Sequence, residues 1–403
     1  MPGTPLHLTT DTHMGSHIFA QTTLLPFLTA LLCVGIAHPT MVRIAHLKDI
    51  VDVPDARKLQ RTPIPIMGGI CVFLGGITGI GISNLFETSA DLLVVVMAMT
   101  VMLYTGTVDD ILGLSPHIRL VIEILTVLCL TGIGGYLLND FHGLWGLGVI
   151  PMWAAVPLTL FAAVGIINAI NLIDGVDGLS SGFCIMACLM FGWLFYLAGD
   201  TSMTILAAVS AGALVPFFLH NVYGKSSKMF IGDGGTLVLG IIISIFVIRI
   251  LQDGMPCERY VARNMGLIPF TLAVLAFPVF DTLRVMCARI LRGGSPFRPD
   301  KSHLHHLFIS LGFSHAGTTA VILTLNTLVV LAWWAAYAAG ASIDLQLYLV
   351  LFLGVLITTG IYYPLRRLNP SGRTFRRLRR LGRLSHIERT GPVLWLQRLM
   401  DRM

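Results

Sequence analysis

Charge is what this sequence has least of: of its 403 residues only 12% are Asp, Glu, Lys or Arg, while 55% are hydrophobic. Mean hydropathy is +0.79. A soluble domain carries about 25% charged residues, so a water-soluble globular chain is excluded and the bilayer is the solvent to reason from. Alternation of apolar and polar residues is missing from the long runs, which excludes a β-barrel. Cysteine is scarce as well. Of seven, only Cys257 falls in a loop on the charge-poor side, so no disulfide framework is implied. The first seventeen residues contain no Lys or Arg. They lack the basic region of a cleaved signal peptide, and the first apolar run is expected to stay as a span.

What is present is a series of apolar runs close to the roughly 20 residues a helix needs to cross a bilayer. Eleven are expected, at 18–39, 66–86, 91–108, 119–138, 153–170, 181–199, 203–220, 235–252, 266–287, 318–340 and 343–364. The fold class is therefore an all-α polytopic integral membrane protein with three parts: an external segment 1–17, a transmembrane domain 18–364 and a basic tail 365–403. Lys and Arg concentrate in 40–65, 109–118, 221–234, 288–317 and the tail, leaving mainly Arg259 and Arg263 opposite. Basic loops face the cytosol, which puts the N-terminus outside and the C-terminus inside. In the tail Arg recurs beside Leu, Phe and Trp. That pattern suits an amphipathic helix on anionic membrane lipid, with no nucleic-acid partner.

Three acidic motifs fall at helix ends on the cytosolic side: Asp109 and Asp110 in "GTVDDILGL", Asp174 and Asp177 in "NAINLIDGVDGL", and Asp233 in "MFIGDGGTLVLG". An Asp at the centre of a span costs about 2.5 to 3.5 kcal/mol, a penalty that mostly disappears at the helix ends. Five converging carboxylates repel one another unless a cation neutralises them, and hard oxygen ligands without Cys select Mg²⁺, or Mn²⁺ in its place. Gly175, Gly178, Gly232, Gly234 and Gly235 allow sharp turns and a close approach to phosphate. Any one motif is equally an ordinary turn; three on one side are harder to explain so.

The loop "RGGSPFRPDKSHLHHLFISLGF" crowds Arg298, Lys301, His303, His305 and His306 together as donors for anionic oxygens. Zinc on His303 and His306, and a purely structural basic loop, are the alternatives. Glu123 is read as structural, and Asp281 as either lining the site or pairing with Arg284.

Taken together, "DARKLQRTPIPIMGG", the Asp-Asp pair, NxxNxxDGxDGL, GDxG[ST] and HxHH resemble the polyprenyl-phosphate N-acetylhexosamine-1-phosphate transferases, within them the bacterial undecaprenyl-phosphate N-acetylglucosaminyl-1-phosphate transferases. The resemblance runs from about residue 50 to 315 and leaves out the tail. It implies an enzyme of the bacterial inner membrane with a cytosolic active site, taking UDP-GlcNAc and undecaprenyl phosphate to lipid pyrophosphate-GlcNAc and UMP. It implies Mg²⁺ at Asp233 and Asn171, Asp174 and Asp177 orienting substrate or metal, Asp109 as a base with Asp110 in support, and His303 at the transferred group. Arg119, Asn168, Arg298, Lys301, His305 and His306 become substrate contacts. A homodimer is compatible with it. Another UDP-amino sugar, or UDP-MurNAc-pentapeptide, would use the same chemistry. A secondary transporter would carry its acids at the midplane on related halves; a non-catalytic lipid-binding scaffold would not need the whole acid set.

Overall fold

The computed structural model describes residues 18–54, 62–83, 90–295, 301–386 and 391–402. In chain order its helices are α1 (Leu25–Leu47), α2 (Gly68–Ser83), α3 (Ala90–Leu112), α4 (Pro116–Gly134), α5 (Met152–Leu172), α6 (Leu179–Ala198), α7 (Thr201–Tyr223), α8 (Gly232–Ile250), α9 (Leu267–Val274), α10 (Ala276–Ile290), α11 (Leu304–Ser310), α12 (His315–Ala338), α13 (Ile343–Val355), α14 (Ile361–Arg366), α15 (Arg373–Leu384) and α16 (Gly391–Met400). Among the described residues nine helices are long and apolar enough to cross a membrane, counting Ile343–Arg366 as one, and the bent pair α9 and α10 makes a tenth. The chain is a polytopic membrane protein. Each of the eleven expected runs meets one of these helical segments, but α2, at 16 residues, falls short of a full span by length.

Local chemistry sets many of the ends. Ser115 caps α4, its side chain accepting from the Ile118 N–H at 3.3 Å with Pro116 in the first turn. Ser314 does the same for α12 through the Gly317 N–H at 3.0 Å. Gly178 and Gly232, at φ of +74° and +71°, turn the chain into α6 and α8, a conformation that costs other residues steric strain.

α8 is the axis of the bundle, buried along nearly its whole length by α2, α3, α5 and α6. Phe191 and Phe195 of α6 pack on Phe246 of α8 at centroid distances of 5.9 and 5.4 Å. Outward positions stay apolar, with Leu93 67%, Phe161 74% and Phe352 63% exposed. Such faces are stable where lipid covers them.

The bend between α9 and α10, 76°, has an identifiable cause. Pro278 has no N–H for the carbonyl of Val274 one turn back. Asn326 of α12 replaces it, donating Nδ2 to Val274 O at 2.9 Å and accepting from the Phe277 N–H at 2.8 Å. A short antiparallel pairing, β1 (Val51–Asp52) with β2 (Ile64–Pro65), lies at one end of the bundle. It continues into Phe230, whose N–H donates to Pro65 O at 2.8 Å, just ahead of α8.

Candidate active site

The three acidic motifs converge at the N-terminal end of α8. Asp110, in the last turn of α3, accepts from the N–H of Asp233 at 2.9 Å and of Gly234 at 3.2 Å. Two orphan donors of a helix start are thereby satisfied by one carboxylate, at the end where the helix dipole favours negative charge. Asp233 therefore lies within the first turn of α8, rather than ahead of it. Asn171, in the last turn of α5, donates to Asp233 Oδ1 at 2.5 Å and to Thr236 Oγ at 2.7 Å.

Arg119 reaches this cluster from α4, 3.4 Å from Asp109 and 3.8 Å from Asp233. Its aim is set by Glu123, which accepts from Arg119 Nε at 3.1 Å and from Asn168 Nδ2 at 2.6 Å. Glu123, read above as structural, is thus the buried link that ties Arg119 and Asn168 to the acids. The other carboxylate oxygen of Asp109 accepts from the Leu114 N–H at 2.7 Å.

A cavity of about 990 Å³ opens beside these groups, lined among others by Asp110, Asn171, Asp174, Asp177, Asp233 and Lys228. Asp174 and Asp177 meet opposite environments in it. Burial, reinforced by the charges of Asp233, Asp177 and Asp110 and opposed by a Ser180 hydrogen bond, pushes Asp174 up to about 8. For Asp177 burial acts upward too, but hydrogen bonds and charge from His315 and Lys228 outweigh it and hold the pKa below its ordinary value. Lys228 Nζ lies 2.6 Å and His315 Nδ1 2.8 Å from Asp177 Oδ2.

Of the three histidines of HxHH, the structure puts His306 in the cavity wall. His303 is buried, with Nδ1 2.9 Å from Asp281, and Asp281 also takes Arg284 at 2.6 Å. Asp281 therefore anchors the histidine loop, because the bend at Pro278 delivers it there. His305 is buried under Gly175, its ring in the space a Cβ on Gly175 would occupy. Burial and the neighbouring charges of His306 and His303 hold its pKa well below the ordinary value, so it is neutral. Lys301 lines a smaller cavity of about 560 Å³ with Arg292, His306 and Arg366. Arg298 lies outside the described residues. Asp109, Arg119 and Asn168 stand behind the cavity wall rather than in it.

Lys228 and His315 were missed from the sequence. The one available signal was their position beside helix ends on the basic side of the membrane.

The donor set fits a hard cation. Carboxylate and amide oxygens surround the cavity, and among the described residues no thiol or thioether lines it. Among the described residues, the acids and histidines that bring three ligand atoms within 4.8 Å are Asp140, Asp253 and Glu258, at the opposite end of α8. The cavity acids are spread more widely, as suits Mg²⁺ that keeps its waters and takes few protein ligands.

Comparison with known proteins agrees with this arrangement. The family model described as glycosyl transferase family 4 matches residues 92–251, from within α3 to the end of α8. A probable undecaprenyl-phosphate N-acetylglucosaminyl 1-phosphate transferase of Bacillus subtilis (strain 168) is 30% identical over 333 residues, 81% of this chain and 88% of that protein. An undecaprenyl-phosphate alpha-N-acetylglucosaminyl 1-phosphate transferase of Escherichia coli O157:H7 is 29% identical over 68% of this chain and 72% of its own. One of Yersinia pestis is 29% identical over 72% and 76%. The site sequences and these similarities have one reading: the chain belongs to glycosyl transferase family 4, among the polyprenyl-phosphate N-acetylhexosamine-1-phosphate transferases.

Proposed function

We propose that this protein transfers N-acetylglucosamine-1-phosphate from UDP-GlcNAc to undecaprenyl phosphate, giving undecaprenyl-pyrophosphate-GlcNAc and UMP as the first step of a lipid-linked envelope polysaccharide. The active site faces the cytosol of a bacterial inner membrane, and eleven segments cross or enter the bilayer with the N-terminus outside. The observation that carries this proposal is the cavity of about 990 Å³ at one end of the bundle, lined by acids from three helix ends together with Lys228, His306 and His315. A soluble nucleotide sugar and a membrane lipid can both reach such a place. The names of the relatives support the substrates.

An oxygen of the lipid phosphate forms a bond to the sugar-bearing phosphorus while the bond from that phosphorus to the bridging oxygen of the UDP-sugar pyrophosphate breaks, and UMP leaves with that oxygen and the electron pair. One phosphoanhydride replaces another, so the step is close to balanced, and the protein's task is positioning and charge neutralisation. Lipid phosphate, with a second pKa near 6, needs orientation more than deprotonation. Asp109, behind the cavity wall and held by the Leu114 N–H, fixes Arg119 beside Asp233 rather than abstracting a proton. Asp174, largely protonated at neutral pH in the ion-free protein, can donate a hydrogen bond to a phosphate oxygen. Lys228, His306 and His315 supply donors for the rest. Asp233 and Asn171 would hold Mg²⁺, which supplies charge neutralisation to the pyrophosphate when bound.

Membranes containing the protein, incubated with undecaprenyl phosphate, Mg²⁺ and a panel of UDP-sugars, test this directly. UMP release is expected with UDP-GlcNAc and not without lipid phosphate. Release with a different UDP-amino sugar alone would reassign the donor, and release with none would overturn the reaction.

A further inference from the structure

We propose that the C-terminal tail, through Ser385 and Asp401, positions the two side chains that hold Asp177 in the cavity; this rests on Asp177 belonging to a phosphoglycosyltransferase site. Asp177 is gripped from two directions, by Lys228 at 2.6 Å and His315 at 2.8 Å. These two residues are distant in sequence, and each directly follows a loop on which a tail residue is seated.

The first loop is Lys225–Ser227. One oxygen of Asp401 accepts from the N–H of Lys225 at 2.9 Å, of Ser226 at 2.9 Å and of Ser227 at 3.1 Å, with the Ser227 hydroxyl at 3.2 Å. Successive N–H groups converging on one anion form a nest, which fixes the local backbone. Ser227 is also held from the bundle, its carbonyl 2.9 Å from His38 Nε2 and its hydroxyl 3.0 Å from His220 Nδ1. Pinned from both sides, Ser227 fixes the point from which Lys228 reaches Asp177.

The second loop ends at Ser314. Its N–H donates to Ser385 Oγ at 2.9 Å and its hydroxyl to Ser385 O at 2.8 Å. His386 Nε2 lies 3.3 Å from Gly312 O. Ser314 is the cap of α12, whose first residue is His315. A shift of this cap moves His315 with it. Between the two anchors, Val393 and Gln397 of α16 form part of the cavity wall, so the tail both closes the site and sets its charge pair. Tail packing that served stability alone would have no reason to meet both loops that position the partners of one carboxylate.

Two measurements on the full-length protein in lipid-containing detergent test this. In the first, Asp401→Ala is expected to speed hydrogen exchange at the amides of Lys225, Ser226 and Ser227, and Ser385→Ala at Ser314, with Asp401→Glu close to wild type. In the second, each Ala variant is expected to lower kcat for UMP release by about fivefold to tenfold in the wild-type background, and by less than about twofold on top of Asp177→Asn, because coupled residues are not additive. Equal fractional losses in the two backgrounds, or unchanged exchange at these amides, would overturn the proposal. If the wild-type protein releases UMP from no UDP-sugar, the reaction itself is wrong, and hydrogen exchange alone then decides whether the tail holds the two loops.

Discussion

Asp110 and Asp233 are adjacent acids with different tasks. Both oxygens of Asp110 are taken by backbone N–H groups of α8, so its carboxyl group holds the helix start in place. Asp233 meets a side-chain amide at 2.5 Å and a guanidinium at 3.8 Å, partners that an arriving ion can displace. Asp233→Asn removes one charge with almost no change in volume. Turnover should fall by at least about a hundredfold, as loss of a charge-stabilising group typically does, and the Mg²⁺ needed for half activity should rise, while melting stays close to wild type. Wild-type turnover with unchanged Mg²⁺ dependence would remove Asp233 from the ligand set. Asp174 gives a pH test. Its pKa of about 8 in the folded chain lies above the roughly 3.9 of an unfolded Asp. The folded state then binds the extra proton, so its contribution to stability is full below about pH 4 and is lost as pH rises through 8. In EDTA, melting temperature should fall between pH 6 and 9, and Asp174→Asn should flatten that fall; a parallel decline in both proteins would show that Asp174 is not the group responsible. These acids were legible in the sequence because carboxylates are expensive in an apolar chain and each stood at a helix end. Their partners were not. Lys228 and His315 reach Asp177 across 51 and 138 residues, and no local pattern encodes such pairs. For the same reason HxHH offered three histidine donors, His303 placed at the transferred group, without showing their exposure; burial separates His306 in the wall from His303 and His305 behind it.

At the scale of elements, run length located the helices and could not reveal where one breaks. The expected span 266–287 covers α9 and α10, and Pro278 stood in plain view within it. A proline in a membrane helix gives a kink or a full bend according to whether a neighbour satisfies the released groups. Here Asn326, far along the chain, decides it by bonding Val274 O and the Phe277 N–H at once. Asn326→Leu keeps the branched shape, with bulkier methyl ends, and leaves both buried groups unpaired. At about 1–3 kcal/mol for each, a loss of roughly 2–6 kcal/mol in unfolding free energy is expected in denaturant titration, together with weaker turnover as Asp281 and the histidine loop drift. A change below about 0.5 kcal/mol would mean the bend is held by packing alone. The start of α8 was also misjudged: its apolar run begins at 235, but the helix begins at Gly232, because Asp110 caps it from another helix.

For the whole molecule, the outward apolar faces and the acidic cavity at one end of the bundle are the features that relate the bilayer to the proposed chemistry. The cavity lies at the ends of α3, α5 and α8 that also adjoin the basic loops, so the orientation expected from loop charge and the side of the proposed site are one question. Loop charge gives an expected orientation without any knowledge of packing, whereas packing sets which helices, such as the short α2, complete a crossing. Leu147 is 46% exposed beyond α4, at the end away from the cavity. Arg292 is exposed beyond α10 and lines the smaller cavity near the histidine loop. Cys129 and Cys287 are the exposed native thiols among seven free cysteines, so Ser replaces both in the background for labelling. A thiol reagent that cannot cross the membrane should then modify Leu147→Cys in intact cells and Arg292→Cys only after permeabilisation. Labelling in the reverse order would turn the cavity outward, away from any cytosolic nucleotide sugar, and UDP-GlcNAc could no longer be the donor in the living cell.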